Sequence, residues 1–281
     1  MNVRRVRIGV SWLCALPGSI SDPIGTATML REAGYDFLQI VPTRGLGGAI
    51  KEVATILPVE YTQQPWDPAR NFWEGLRGGL VNTSDKPDLL NFAIFSTEKE
   101  RGQVWESLFR EDAQHPLMIV DNFAMDPTYQ NSLIEIHVGL GLTPSQIVEN
   151  LKRMPLELPA VVDLGHLRHP ATEKYRRHWP RDVQKAYNKA EMGPIGDWPT
   201  SLRATLPFAR AIQVQNVPGE LEACLAGQST VLEEMLALIR EASFSGDYIV
   251  EVRLKPRKAL MSKGYVRNTL TDVCTWLKTQ V

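Results

Sequence analysis

The stretch LIEIHVGLGLTPSQIVENLKRMPLELPAVVDL, Leu133 to Leu164, decides the fold. It opens on a β-rich run, Leu133–Val138, and passes through Gly139-Leu140-Gly141. Thr143-Pro144 then follows, a capping hydroxyl before a first-turn proline and a helix-start signal. The periodic segment Pro144–Met154 comes next, and a second apolar run, Ala160–Leu164, closes the unit. Two β-rich runs separated by one helix make a βα unit whose strands lie parallel, because antiparallel neighbours would need only a short turn. Both runs are nearly continuous in Val, Ile and Leu, as strands buried on both faces are.

Working outward, the same alternation recurs along the chain. The runs Val6–Trp12, Phe37–Thr43, Ile56–Thr62, Leu117–Phe123, Ala211–Val217 and Tyr248–Leu254 bring the strand count to eight. Helices are predicted over Asp22–Ala33, ending at Gly34, and over Ile50–Thr55, Pro87–Phe109, Arg181–Ala190, Thr230–Ala242 and Asn268–Thr279. Eight strands with helices between them in 281 residues point to a (β/α)8 barrel spanning 1–281 as a single domain. A doubly wound open sheet would show a similar alternation with fewer strands. The segments Glu60–Asn82 and Arg168–Thr200, rich in Trp, Pro, Gly and Arg, read as long loops over one mouth. Trp66, Phe72, Trp73 and Trp179 within them suit stacking on a ligand face as well as plain packing.

Composition narrows the function. Thirty-one Lys plus Arg against thirty-two Asp plus Glu leave a net charge of −1, without the positive excess that binding to phosphate backbones requires, so nucleic acid is not an expected partner. No apolar run approaches the length of a membrane span, which excludes a membrane partner of that kind. Arg4, Arg5 and Arg7 before the apolar Ile8–Leu16 imitate a signal peptide, but the run is short and ends in Pro17-Gly18 with no cleavage pattern. Cys14, Cys224 and Cys274 are too few and too scattered for a disulfide framework or a zinc site, in keeping with a reducing cytoplasm. Gly45-Leu46-Gly47-Gly48 lacks the spacing and the lysine of a nucleotide-cradling loop.

Barrel chemistry sits at the C-terminal ends of the strands. There Glu135 and His137 share one strand face, Asp163 precedes Leu164-Gly165-His166, Gln213 and Gln215 lie on the seventh strand, and Glu251 and Arg253 on the eighth. Carboxylates inside Val/Ile-rich strands are costly unless paired or bound to a cation, so Glu135, Asp163 and Glu251 suggest a shared divalent metal of the oxygen-preferring kind. Pairing with arginines such as Arg253 or Arg168 is the structural alternative. Arg253, Lys255, Arg257 and Lys258 cluster after the eighth strand, where a phosphate can bind, although such clusters also serve as solvated faces.

The ordered set Leu133–Gly139, Val161-Val162-Asp163-Leu164-Gly165-His166, Ile212-Gln213-Val214-Gln215-Asn216 and Ile249-Val250-Glu251-Val252 resembles the xylose isomerase-like barrel superfamily, in its sugar isomerase and epimerase branch. The likeness covers the second half of the chain by motif and the first half by strand order. It implies a single divalent metal, Mn2+ or Mg2+, held by Glu135, Asp163, Gln213 and Glu251. Glu135 and Glu251 become the catalytic base and acid, while His166, His137 and Arg253 become substrate contacts. The implied ligand is a sugar or sugar phosphate, and the implied assembly a homo-oligomer. The chain departs from the pattern at Gln213, where the family carries histidine, and at Asn216, where an aspartate often stands. A neutral amide oxygen suits Mg2+ or Mn2+ better than softer metals. Two other readings follow from the same residues: a metal-free barrel with a binding or structural role, and a lyase or dehydratase acting on a polyol or keto acid. The branch of abasic-site endonucleases is excluded, since no histidine precedes His115.

Overall fold

A computed structural model describes residues 6–63, 98–109, 116–121, 132–136, 144–154, 156–168, 198–216, 219–252 and 254–281. Eight parallel strands close into one barrel in sequence order: β1 Ile8–Ser11, β2 Phe37–Ile40, β3 Val59–Gln63, β4 Leu117–Asp121, β5 Ser132–Ile136, β6 Ala160–Asp163, β7 Ala209–Val214 and β8 Asp247–Val250. Closure is made by β1 against β8, with Gly9 opposite Ile249 and Val10 opposite Val250. All eight strands anticipated from the sequence are present, and the open-sheet alternative is replaced by a (β/α)8 barrel.

The two-residue period of each strand sorts its side chains between two cores. One face packs outward under the helices, joining Val10, Leu38, Ile40, Ile134, Ile136, Val162, Ile212, Val214 and Val250 to Leu30, Ile50, Leu236, Ile239 and Leu270. The other face fills the bore with a separate apolar cluster of Phe37, Tyr61, Ile119, Leu133, Val161, Ala211 and Ile249. Two positions further along their strands the inner face turns polar, at Gln39, Gln63, Glu135, Asp163, Gln213 and Glu251. The bore is therefore apolar in its middle layer and carries its polar groups toward the C-terminal mouth.

Helix boundaries follow local chemistry. Asp22 caps Pro23–Glu32, its Oδ1 accepting from the Gly25 backbone N–H at 3.0 Å, and Gly34 leaves that helix at φ 93°. Thr230 and Glu233 form a reciprocal capping box at the start of Val231–Glu241. The helix Leu46–Ile56 begins four residues before the expected Ile50 and takes in Gly47 and Gly48. Gly47 serves close packing: a Cβ there would lie 2.7 Å from Gln103 Oε1 and 3.2 Å from the Glu100 carbonyl oxygen of helix Glu98–Leu108. Ile56 accordingly belongs to that helix, and β3 extends one residue past Thr62. Pro144–Leu151 and Lys263–Gln280 lie where helices were anticipated. The short helices Leu164–Arg168, Trp198–Thr205, Glu220–Leu225 and Pro256–Met261 were not foreseen. The predicted helix Arg181–Ala190, and residues 87–97 of the predicted Pro87–Phe109, lie outside the described residues.

Candidate active site

The acids picked out in the sequence converge at the C-terminal mouth. Glu135 and Asp163 are inner-face residues of β5 and β6 and are buried, with 2% and 0% exposure. Glu251 follows β8 directly, and its backbone N–H still bonds to the Val214 carbonyl at 3.1 Å, so the strand's direction is kept to the acid.

Asp163 ends its strand and begins the helix Leu164–Arg168. Its Oδ1 accepts from the His166 backbone N–H at 2.8 Å, an N-cap bond that turns the chain sharply. The turn brings the His166 ring back over the strand ends. Its Nε2 lies 3.6 Å from Glu135 Oε1 and 3.9 Å from Asp163 Oδ2. Gly165 sits between the two because Gln215 passes over it: a Cβ there would lie 2.2 Å from Gln215 Oε1.

Glu135, Asp163 and His166 each present a ligand atom within 4.8 Å of the other two. Glu251 is not part of that triplet and is joined to it through Gln213. The Gln213 Nε2 donates to Glu251 Oε2 at 2.9 Å and to Gln39 Oε1 at 3.2 Å. Gln39 Nε2 donates in turn to Gln63 Oε1 at 2.7 Å, and Gln63 Nε2 to Glu135 Oε2 at 2.6 Å. Asp163 Oδ2 and Gln213 Oε1 are buried with no hydrogen-bond partner, and the two residues face each other in the β6–β7 register. Two orphaned acceptors on paired strands are an expensive arrangement unless a donor or a cation meets them. Two carboxylates, an amide oxygen and one imidazole form an oxygen-rich donor set that fits Mn2+ or Mg2+.

Cys14 lies close by, its thiol facing the Val250 carbonyl oxygen at 3.5 Å. Burial pushes its pKa up, and the negative charge of Glu251 pushes it further, so the sulfur stays protonated and is not a nucleophile. All three cysteines are free and buried.

Of the other residues singled out, His137 and Arg253 lie outside the described residues, as do Trp66, Phe72, Trp73 and Trp179. Two members of the basic cluster are engaged locally: Lys255 Nζ pairs with Glu222 Oε1 at 2.8 Å, and the Lys258 ammonium stands 5.6 Å from the centre of the Tyr265 ring. The residues that sequence reasoning missed are Gln39 and Gln63. Their signal was a carboxamide at an inward position of an otherwise apolar strand, the same signal as Gln213 on the seventh strand. A cavity of ≈ 670 Å³ lined by Arg203, Arg210, Ser243 and Phe244 lies at the opposite, N-terminal rim and shares no residue with the acids. No helix among the described residues is long and apolar enough to cross a membrane.

No protein-family model matches the chain, and no curated protein matches it. Among solved structures, a sugar phosphate isomerase/epimerase from Parabacteroides distasonis aligns at 10% identity over 100% of this chain and 98% of its own, with a TM-score of 0.46. A second structure described in the same words from that organism aligns at 12% identity over 97% and 98%, with a TM-score of 0.43. The 3-keto-D-glucoside 4-epimerase of E. coli aligns at 13% identity over 98% of this chain and 100% of its own, with a TM-score of 0.48.

Proposed function

We propose that the protein is a metal-assisted sugar or sugar-phosphate isomerase or epimerase, moving a proton at a carbon next to a carbonyl. The observation that carries this reading is the pair of carboxylates, Glu135 on β5 and Glu251 after β8, joined through amides across one mouth of the barrel beside the buried Asp163 and the half-buried His166.

Glu135, Asp163 and His166 would hold a divalent cation, with the Gln213 carbonyl as a further oxygen. When bound, Mn2+ or Mg2+ supplies Lewis-acid polarisation of the sugar oxygens. The remaining work belongs to side chains. Glu251, fixed by the Gln213 N–H and outside the triplet, accepts the proton from one face of the carbon. Glu135, reached from the other side of the mouth, exchanges a proton with the opposite face. His166, 31% exposed at its side chain and facing Glu135 and Asp163, also stands where it orients a substrate hydroxyl. His137 and Arg253 are carried forward from the sequence as substrate contacts, Arg253 toward an acidic or phosphorylated group.

The test is a Mn2+ titration of wild type and Glu135→Gln, followed by a panel of free and phosphorylated ketoses and aldoses. The expected result is about one equivalent of Mn2+ bound by wild type, at least about 100-fold weaker binding in the variant, and turnover on a ketose or aldose. Absence of binding together with absence of turnover would overturn the proposal in favour of a metal-free barrel. Metal binding with water loss from a polyol or keto acid would point to a lyase.

A further inference from the structure

The hydrogen bonds between Glu135 and Glu251 diverge from Gln213, which donates toward both ends of the row. A carboxylate accepts and does not donate, so each acid at the end of the row must meet an amide nitrogen. Gln63 therefore turns Nε2 to Glu135 and Oε1 back to Gln39. Gln39 turns Nε2 to Gln63 and Oε1 back to Gln213, and Gln213 spends both N–H groups of its one nitrogen, on Gln39 and on Glu251. Reversing Gln39 would set oxygen against oxygen at one end and nitrogen against nitrogen at the other. The row also crosses the bore: Gln213 on β7 reaches Gln39 on β2 past β8 and β1, and Gln63 on β3 reaches Glu135 past β4. Gln39 and Gln213 are fully buried, where low dielectric strengthens each bond and polarises the next.

We propose that Gln213 heads a directional amide chain, Gln213–Gln39–Gln63, that positions both acids through its N–H groups and leaves Oε1 to the cation, so that glutamine at this position is not a decayed histidine ligand. The inference rests on the reading of Glu135 and Glu251 as the working acids. A neutral imidazole at 213 has a single N–H, an imidazolium one on each ring nitrogen, and neither has a carbonyl. Neither can hold Glu251 and Gln39 from a single atom while leaving an oxygen over, which is what the Gln213 amide does with Oε1. Gln39 and Gln63 are positioning residues on the same argument, acting on Glu135 from strands that contribute no acid to the triplet.

The experiment reads the side-chain amide signals of 15N-labelled full-length protein, assigned by single Gln→Met variants, together with Mn2+ affinity. In Gln213→Met, nearly equal in volume, the Gln63 amide signal is expected to shift although Gln39 stands between the two. A side chain that merely fills space would leave that signal where it is. Gln39→Met, which removes no ligand, is expected to weaken Mn2+ about tenfold, the cost typical of a lost outer partner. Gln213→His is expected to weaken Mn2+ as well, whereas a decayed ligand would be repaired by it. An unmoved Gln63 signal, or tighter Mn2+ in Gln213→His, overturns the chain. Should Gln213→Met fail to fold, Glu135→Gln read at the Gln213 signal runs the same test from the other end, with the same two outcomes. A wild type that binds no Mn2+ but still transmits the shift overturns the metal-assisted reading and leaves the chain standing. Mn2+ binding with no transmitted shift does the reverse.

Discussion

The two oxygens of Asp163 have different surroundings. Oδ1 caps the helix Leu164–Arg168, while Oδ2 is buried without a partner beside His166 and across from Gln213. The two roles separate by mutation. Asp163→Asn keeps a capping oxygen and loses the charge, so the variant is expected to melt near the wild-type temperature and to lose Mn2+. Asp163→Ala loses the cap too and is expected to be about 1 kcal/mol less stable than Asp163→Asn. Equal stability of the two in urea would show that the cap contributes nothing. The acids were legible in the sequence because a carboxylate in a Val/Ile strand is expensive and asks for a partner. Gln39 and Gln63 were not, because a neutral amide in a strand raises no such demand until its neighbours across the bore are known. Gln63 was further hidden by standing one residue beyond the strand as read.

The β1–β2 pair shows how an element's composition answers to the space inside the barrel. Gly9 lies opposite Phe37, and a Cβ added to Gly9 would sit 2.1 Å from the Phe37 ring, so the ring fills the bore over the bare glycine. Gly9→Ala is expected to cost about 1–3 kcal/mol through overpacking. Gly9→Ala combined with Phe37→Leu should recover part of that, a non-additivity readable in denaturant midpoints. Simple additivity of the two losses would mean that the ring and the glycine are not matched. Strand existence was legible from apolar runs, whereas the early start of helix Leu46–Ile56 was not. Glycines at a helix start read as a break unless the helix packed against them is in view.

The barrel is closed at its N-terminal end by a charged network below the apolar layer. Arg7 grips Asp247 with Nε at 3.0 Å and Nη2 at 2.7 Å, reaches Glu60 at 3.1 Å, and the Tyr61 hydroxyl donates to the same Asp247 at 2.7 Å. Burial pushes the Tyr61 hydroxyl above the usual tyrosine range, and Asp247 adds to the shift. Burial likewise pushes Tyr248 from 10.0 up to about 12. A group whose pKa is higher folded than unfolded stabilises the fold fully below its unfolded value and loses that contribution as pH rises. The melting temperature is therefore expected to fall between pH 10 and about 12, the window of Tyr248, with Tyr61 adding to the loss. Circular dichroism melts taken across that range check it, and a flat profile would refute it.

The chain alone determined the eight strands, their parallel order and the mouth that carries Glu135, Asp163 and Glu251, because strand period and the cost of buried charge are local properties. Closure of the barrel set the rest. It turned Gln39 inward to meet Gln213 and Gln63 inward to meet Gln39 and Glu135, placed His166 with Glu135 and Asp163 while Glu251 stayed outside that triplet, and drew Lys255 to Glu222. The amide contacts join side chains tens to hundreds of residues apart, and no spacing along a sequence encodes which way an amide must face to serve two acids at once.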